Sequence, residues 1–165
     1  MCFWKNLAKF VGMKQSIDFL PERKQRDLHE LVGLIRNEVE DVVMIILYGS
    51  YARNTYVELD IRRDYGGGKI QYMSDYDILV VSKKRLGSRT VTVSSRVKSS
   101  FLKNKNANTQ TRPSIINESI TKFNNALSEG RYFYVDILTE GIVLYDSGEC
   151  QLATPCELHY SEILQ

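Results

Sequence analysis

An α/β (or α+β) protein with a small mixed sheet flanked by helices is the fold class this sequence predicts, and three observations predict it. Val42–Tyr48 and Ile78–Val81 are short continuous apolar runs rich in β-branched residues, the pattern of central strands covered on both faces. Between and around them lie stretches with helical spacing of apolar residues. Strands and helices alternate along the chain, with no internal repeat.

Each element has its own signal. Trp4, Leu7, Ala8 and Val11 fall at helical spacing, so the first dozen residues read as a short amphipathic docking helix rather than a membrane-surface one. Pro21 opens the next helix, where its missing N–H costs nothing. Leu28, Leu31, Val32, Ile35 and Val39 then make one apolar stripe. After the first strand, Val57, Leu59 and Ile61 alternate with polar residues, and Gly66-Gly67-Gly68 precedes a second short extended piece through Ile70 and Tyr72. This predicts a half-exposed hairpin with a glycine turn. The string GGGK lacks the spacing of a phosphate loop and sits on the hairpin tip. Val93, Val97 and Phe101 suggest a helix, against the pull of β-branched neighbours. Residues 113–117 read as a short strand, 120–127 as a helix, and 142–145 as a closing strand. Gly130 and Gly141 bracket a segment that fits either helix or strand.

Composition narrows the class further. The chain has 165 residues, 43% hydrophobic and 25% charged, with a net charge of +2, which fits one globular domain and excludes a disordered or fibrous chain. No apolar run approaches the roughly 20 residues that span a bilayer, so no membrane partner is expected. Cys2, Cys150 and Cys156 form no disulfide framework and point to a reducing cytoplasm; with His159 they fit no common zinc spacing. From Lys83 to Arg112 there are nine Lys/Arg and no acid, leaving the remainder net negative. That run reads as a solvated segment or as a positive flank for a nucleotide, nucleic acid or acidic partner. Only Phe101 interrupts it with an aromatic ring, so nucleic acid is possible but not favoured.

The chemistry lies in two stretches, MIILYGSYARN (44–54) and SDYDILVV (74–81). Asp75 and Asp77 are two residues apart at a strand entrance and would share a face. Desolvated side by side they repel, and a divalent cation with a taste for hard oxygen ligands, such as Mg²⁺, relieves that. A bare Asp-x-Asp also fits two solvated residues. Gly49-Ser50 upstream changes the reading: glycine admits a triphosphate close to the backbone, Ser50 adds a hydroxyl at a helix start, and Arg53 adds a cation.

Strand, Gly-Ser, then a second strand opening with Asp-x-Asp resembles the polymerase-beta-type nucleotidyltransferase superfamily. With LPERKQRDL, EGRYFYVDILTEGIVLYDSG and LATPCEL, the chain further resembles the N-terminal domain of bacterial proteins that fuse a nucleotidyltransferase to a helical HEPN domain. The resemblance implies a nucleotidyltransferase fold with an inserted hairpin over residues 13–148, an extension at 1–12, and a linker at 149–165 toward a further helical domain. It implies a Mg²⁺-dependent transfer of a nucleoside monophosphate from an NTP, with ATP the expected donor, to a hydroxyl. Asp75 and Asp77 would be the catalytic metal ligands (one or two ions), and Gly49, Ser50 and Arg53 the nucleotide contacts, with a HEPN domain as a partner in cis or trans. Two departures stand out. Asn54 replaces a usual glycine, and Asn tolerates the same left-handed backbone. The third carboxylate of active members falls at Ser114, with Asp136 a substitute by residue type and Glu118 a weaker one. Without a third acid, the chain would be a weak or inactive nucleotide-binding regulatory module acting on a HEPN partner.

Overall fold

The computed structural model describes residues 12–155. The expected N-terminal helix, most of the 1–12 extension, the end of the 149–165 linker, and Cys2, Cys156 and His159 lie outside the described residues.

Helix α1 (Glu22–Glu38) starts directly after Pro21 and buries Leu28, Leu31 and Ile35 on one stripe. Strand β1 (Val42–Tyr48) follows and is buried along nearly its whole length. A single turn of helix, α2 (Gly49–Ala52), caps it. The hairpin β2 (Asp60–Arg63) and β3 (Lys69–Tyr72) stands apart as its own two-stranded sheet. Its turn is held by Asp64, whose carboxylate accepts from the Gly66 and Gly68 amides, with Gly67 at φ 79°. Strand pairing begins only at Asp60, so Val57 and Leu59 precede the hairpin. Both strands are almost wholly exposed rather than half-exposed.

Strand β4 (Tyr76–Ser82), helix α3 (Arg89–Leu102), strand β5 (Pro113–Ser119), helices α4 (Ile120–Ser128) and α5 (Tyr132–Glu140), and strand β6 (Ile142–Asp146) complete the order. The sheet runs β5-β4-β1-β6, with β4–β5 parallel and the other two pairings antiparallel, so it is mixed as expected. Alternation of side chains sends Leu47, Ile78 and Val80 toward α1 and α3. Val43, Ile46, Leu79 and Val81 face α4 and α5 instead. The result is three layers, helix–sheet–helix, with a core on each face of the sheet.

The segment between Gly130 and Gly141 is a helix. Its hydrophobic residues Ile137 and Leu138 turn inward at helical spacing, and the chain reverses into β6 at Gly141, where a Cβ would strike the Ile137 carbonyl. The basic run also finds partners. Arg96 pairs with Glu38 and Lys105 with Glu30, both acids on α1, while Lys83 meets Glu149 and Arg85 lies 3.9 Å from Glu118. Part of the run is therefore matched by acids of the same chain, two of them on α1.

Candidate functional site

The site is built where β1 runs out. The chain leaves the sheet at Tyr48, and Gly49 adopts φ 72°, a left-handed conformation that glycine takes without a Cβ penalty. It does so against the Asp77 carboxylate: a Cβ on Gly49 would collide with Asp77 Oδ2. Glycine is thus required twice at this position, by backbone geometry and by space. The downstream side of the turn is closed by Thr55, whose amide donates to the Ser50 carbonyl at 2.8 Å, and by Asn54 at φ 57°, the left-handed conformation expected of a residue in the glycine's place.

Asp77 is opposite Tyr48 on β1 and opposite Ser114 on β5. All three belong to the sheet face covered by α4 and α5. Asp75 precedes β4 by one residue and is exposed. Burial is the main reason the Asp77 carboxyl is held above its ordinary range; the negative charge of Asp75 adds to it, and Arg53 partly offsets both. The two acids therefore sense each other, and the Gly49–Ser50 turn abuts one of them. Burial, with the same carboxylate adding to it, pushes the Tyr48 hydroxyl up to about 12.

Ser74 sets the entrance. It is buried, its hydroxyl accepts from the Val57 amide at 2.9 Å, and its own amide donates to the Val57 carbonyl at 2.9 Å. This double clasp ties the base of the hairpin excursion beside Asp75.

Helix α5 forms the wall facing the turn. Phe133 packs edge-on against Tyr48, with ring centroids 5.8 Å apart, and Glu140 pairs with Arg53 at 3.2 Å. These residues lie two turns apart on one stripe, and Asp136 falls on that stripe between them. Asp136 is accordingly a helix residue, not a strand-borne one. Glu118 lies elsewhere: it pairs in register with Val81, four residues along β4 from Asp77, or about 13 Å. It is buried there and engaged by Lys122 at 3.2 Å and the Tyr134 hydroxyl at 3.2 Å. Among the described residues, no group of three or more His, Cys, Asp or Glu is placed to hold a metal ion. Ser114, not an acid, occupies the β5 position beside Asp77.

On the other sheet face, directly under the turn, is a cluster that the motifs do not announce. Lys24 on α1 is 3% exposed, and its ammonium donates to the Tyr51 hydroxyl at 3.0 Å and the Thr111 hydroxyl at 2.6 Å. Tyr51 stacks on Tyr56 at 4.2 Å and tilts against Tyr76, whose hydroxyl donates to Asp27 at 2.8 Å. Burial lowers the Lys24 pKa and pushes the Tyr51 hydroxyl up to about 12. Tyr51 and Tyr76 belong to the same motifs as the polar residues, the first after Ser50 and the second between the aspartates. Alternation sends Tyr76 to the opposite face from Asp75 and Asp77. One signal for Lys24 was present: it precedes Leu28 by one helical turn, on the buried stripe.

No protein-family model matches the chain, and neither does any curated relative. Solved structures similar to it include a complex of a tri-AMPylated Shewanella oneidensis HEPN toxin with MNT antitoxin, at 14% identity and a TM-score of 0.43 over 76% of this chain and 75% of that one. A second is a toxin–antitoxin structure with AMP-PNP, at 15% identity and a TM-score of 0.43 over 73% of each chain. A third is a Sulfolobus solfataricus protein described as a candidate nucleotidyltransferase, at 16% identity and a TM-score of 0.41 over 82% of this chain and 93% of that one.

Proposed function

We propose that this chain is a divalent-metal-dependent nucleotidyltransferase that moves a nucleoside monophosphate from an NTP, ATP in the first instance, to a hydroxyl acceptor. The observation that carries the reading is the contact between the Gly49 backbone and the Asp77 carboxylate, which sets a side-chain-free turn against an acid already strained by burial and by Asp75.

Asp75 and Asp77 suit Mg²⁺ chemically. They are hard oxygen donors with an unbalanced negative charge, and Mg²⁺ commonly takes only one or two carboxylates, filling its remaining positions with water and substrate phosphate. Bound there, the ion would neutralise charge on the transferring phosphate and on the departing pyrophosphate. The protein's part is positioning. The Gly49 backbone and the Ser50 hydroxyl hold the outer phosphates, and Arg53 supplies a cation once it turns from Glu140. That exchange is cheap, because both partners of the Arg53–Glu140 pair are about two-fifths exposed and such pairs contribute roughly 0–1 kcal/mol. The acceptor oxygen bonds to the α-phosphorus as the bond to the β-phosphate oxygen breaks, and the hydroxyl proton leaves to solvent. A HEPN partner, in cis or in trans, offers such a hydroxyl on a tyrosine; this follows from the sequence resemblance.

The neutral Ser114 beside Asp77 favours a second reading, a nucleotide-binding regulatory module that has lost catalysis. One experiment separates the two. The protein is incubated with Mg²⁺, a HEPN partner and ATP labelled at either the α- or the γ-phosphate. The transferase reading requires the α-label on the acceptor and the γ-label in pyrophosphate. Tight ATP binding with no label transferred leaves the regulatory module.

A further inference from the structure

A cavity of about 590 Å³ opens behind the phosphate turn, between the segment that precedes α1 and the end of α2. Lys14, Gln15, Ser16 and Phe19 line one side, and Ala52, Arg53 and Asn54 the other. No carboxylate lines it, whereas a second cavity of about 340 Å³, beside Tyr145, is lined by Arg36 together with Glu40. The first cavity thus presents two cations, of which Arg53 also pairs with Glu140 at 3.2 Å, three neutral polar side chains and one aromatic ring, 45% exposed. Its volume falls within the ordinary range for small-molecule sites, roughly 300–1,000 Å³.

The wall is fixed before any ligand arrives. The Lys14 carbonyl accepts from the Val143 amide at 2.8 Å, which bridges this segment to the edge of the sheet at β6. Ile17 and Leu20 are buried in the core, and the Gln25 side-chain amide donates to the Leu20 carbonyl at 2.7 Å. On the opposite wall, the left-handed Asn54 and the bond from its amide to the Tyr51 carbonyl hold the end of the turn. Core burial and backbone bonding fix both walls, while Lys14 and Phe19 remain exposed.

We infer that this cavity binds a nucleoside monophosphate, its phosphate between Lys14 and Arg53 and its base on Phe19. The paired cations match a phosphate, the Gln15, Ser16 and Asn54 side chains can bond base or ribose, and the exposed ring offers a stacking face. None of its lining residues but Arg53 is shared with the Gly49–Ser50 turn and the Asp75/Asp77 pair, and that guanidinium serves one phosphate at a time; the proposal does not require the transfer reaction. It names a second nucleotide site beside the first.

The test uses calorimetric titration of the whole chain with AMP, GMP, CMP and UMP in the presence of EDTA, with inorganic phosphate and adenosine as separate arms. At least one monophosphate is expected to bind without divalent metal and more tightly than either phosphate or adenosine. Lys14→Gln and Phe19→Ala should each weaken it about tenfold, the effect of losing one charged or stacking contact. Asp77→Asn should leave it unchanged. Both altered side chains are exposed, so melting temperatures should stay near that of the parent. The proposal is overturned if no monophosphate binds at millimolar concentration, if phosphate alone accounts for the affinity, or if binding requires Mg²⁺ and is lost in Asp77→Asn yet indifferent to Lys14 and Phe19.

Discussion

Asp77 is the residue on which the account turns, and its electrostatics make a signed prediction. Its folded-state pKa is raised above 3.8 by burial and Asp75, so the folded chain holds the proton more tightly than the unfolded chain. The apo protein therefore loses stability as pH rises through the ordinary aspartate range to the raised value, and the loss is constant above it. Asp77→Asn removes that cost. Its apo melting temperature should equal or exceed the parent's at pH 7, and the advantage should vanish below about pH 4, where the carboxyl is neutral in both states. Calorimetric melts across this interval check it; a variant less stable at pH 7 than at pH 4, relative to parent, contradicts it. Protons would also compete with Mg²⁺ for Asp77, so metal-dependent nucleotide binding should weaken on acidification.

At the scale of elements, α5 and α1 act on the turn from opposite sides of the sheet. Glu140 on α5 holds the Arg53 guanidinium that the proposed nucleotide site would use. Glu140→Gln should therefore tighten ATP binding up to about fivefold, as expected from releasing an exposed pair. Unchanged affinity would mean that Arg53 does not reach the phosphates. On α1, Lys24 ties Tyr51 to Thr111. Lys24→Ala leaves a void and takes one partner from each of two buried hydroxyls, which keep only their mutual bond at 3.1 Å, and should cost about 2–4 kcal/mol in urea unfolding. Lys24→Met should cost less, because it refills the space and removes a buried charge whose pKa is lowered. That charge penalty is full below the lowered pKa and fades as pH climbs toward 10.5, so the gap between parent and Lys24→Met should widen in the parent's favour at alkaline pH.

These elements also show what could be read from the sequence. Strands β1 and β4 and helix α1 were legible because each buries a long unbroken apolar pattern, and α3 was legible through Val93, Val97 and Phe101 despite its β-branched residues. The Gly-Ser turn and the Asp-x-Asp pair were legible as motifs, and their approach in space belongs to the strand pairing of β1 with β4. The nature of α5 was not legible, since so short a segment between Gly130 and Gly141 satisfies either period. Lys24 was not, because a lysine on an apolar stripe reads as its solvated edge unless its hydroxyl partners, 27 and 87 residues away, are known. The partners of the basic run were out of sight for the same reason: the acids that pair with it on α1 are 58 and 75 residues distant.

The molecule as a whole is a three-layer scaffold in which three strand ends meet at one end of the sheet: β1 ends at Tyr48, β4 begins just after Asp75, and β5 begins at Pro113. Among the described residues no helix is long and apolar enough to cross a membrane. The central claim is that this end of the sheet binds a metal–nucleotide complex through the Gly49–Ser50 turn and the Asp75/Asp77 pair. The most direct test is the melting temperature of the parent, Asp75→Asn and Asp77→Asn with each NTP, with and without Mg²⁺. At a hundredfold excess over Kd, a ligand bound only by the folded state contributes about 2.7 kcal/mol, or a rise of roughly 5–10 °C for a chain this size. The account predicts that rise for the parent with ATP and Mg²⁺, little or none without the metal, and its loss in both variants. No rise with any of the four nucleotides at millimolar concentration, or an equal rise in Asp77→Asn, would contradict it.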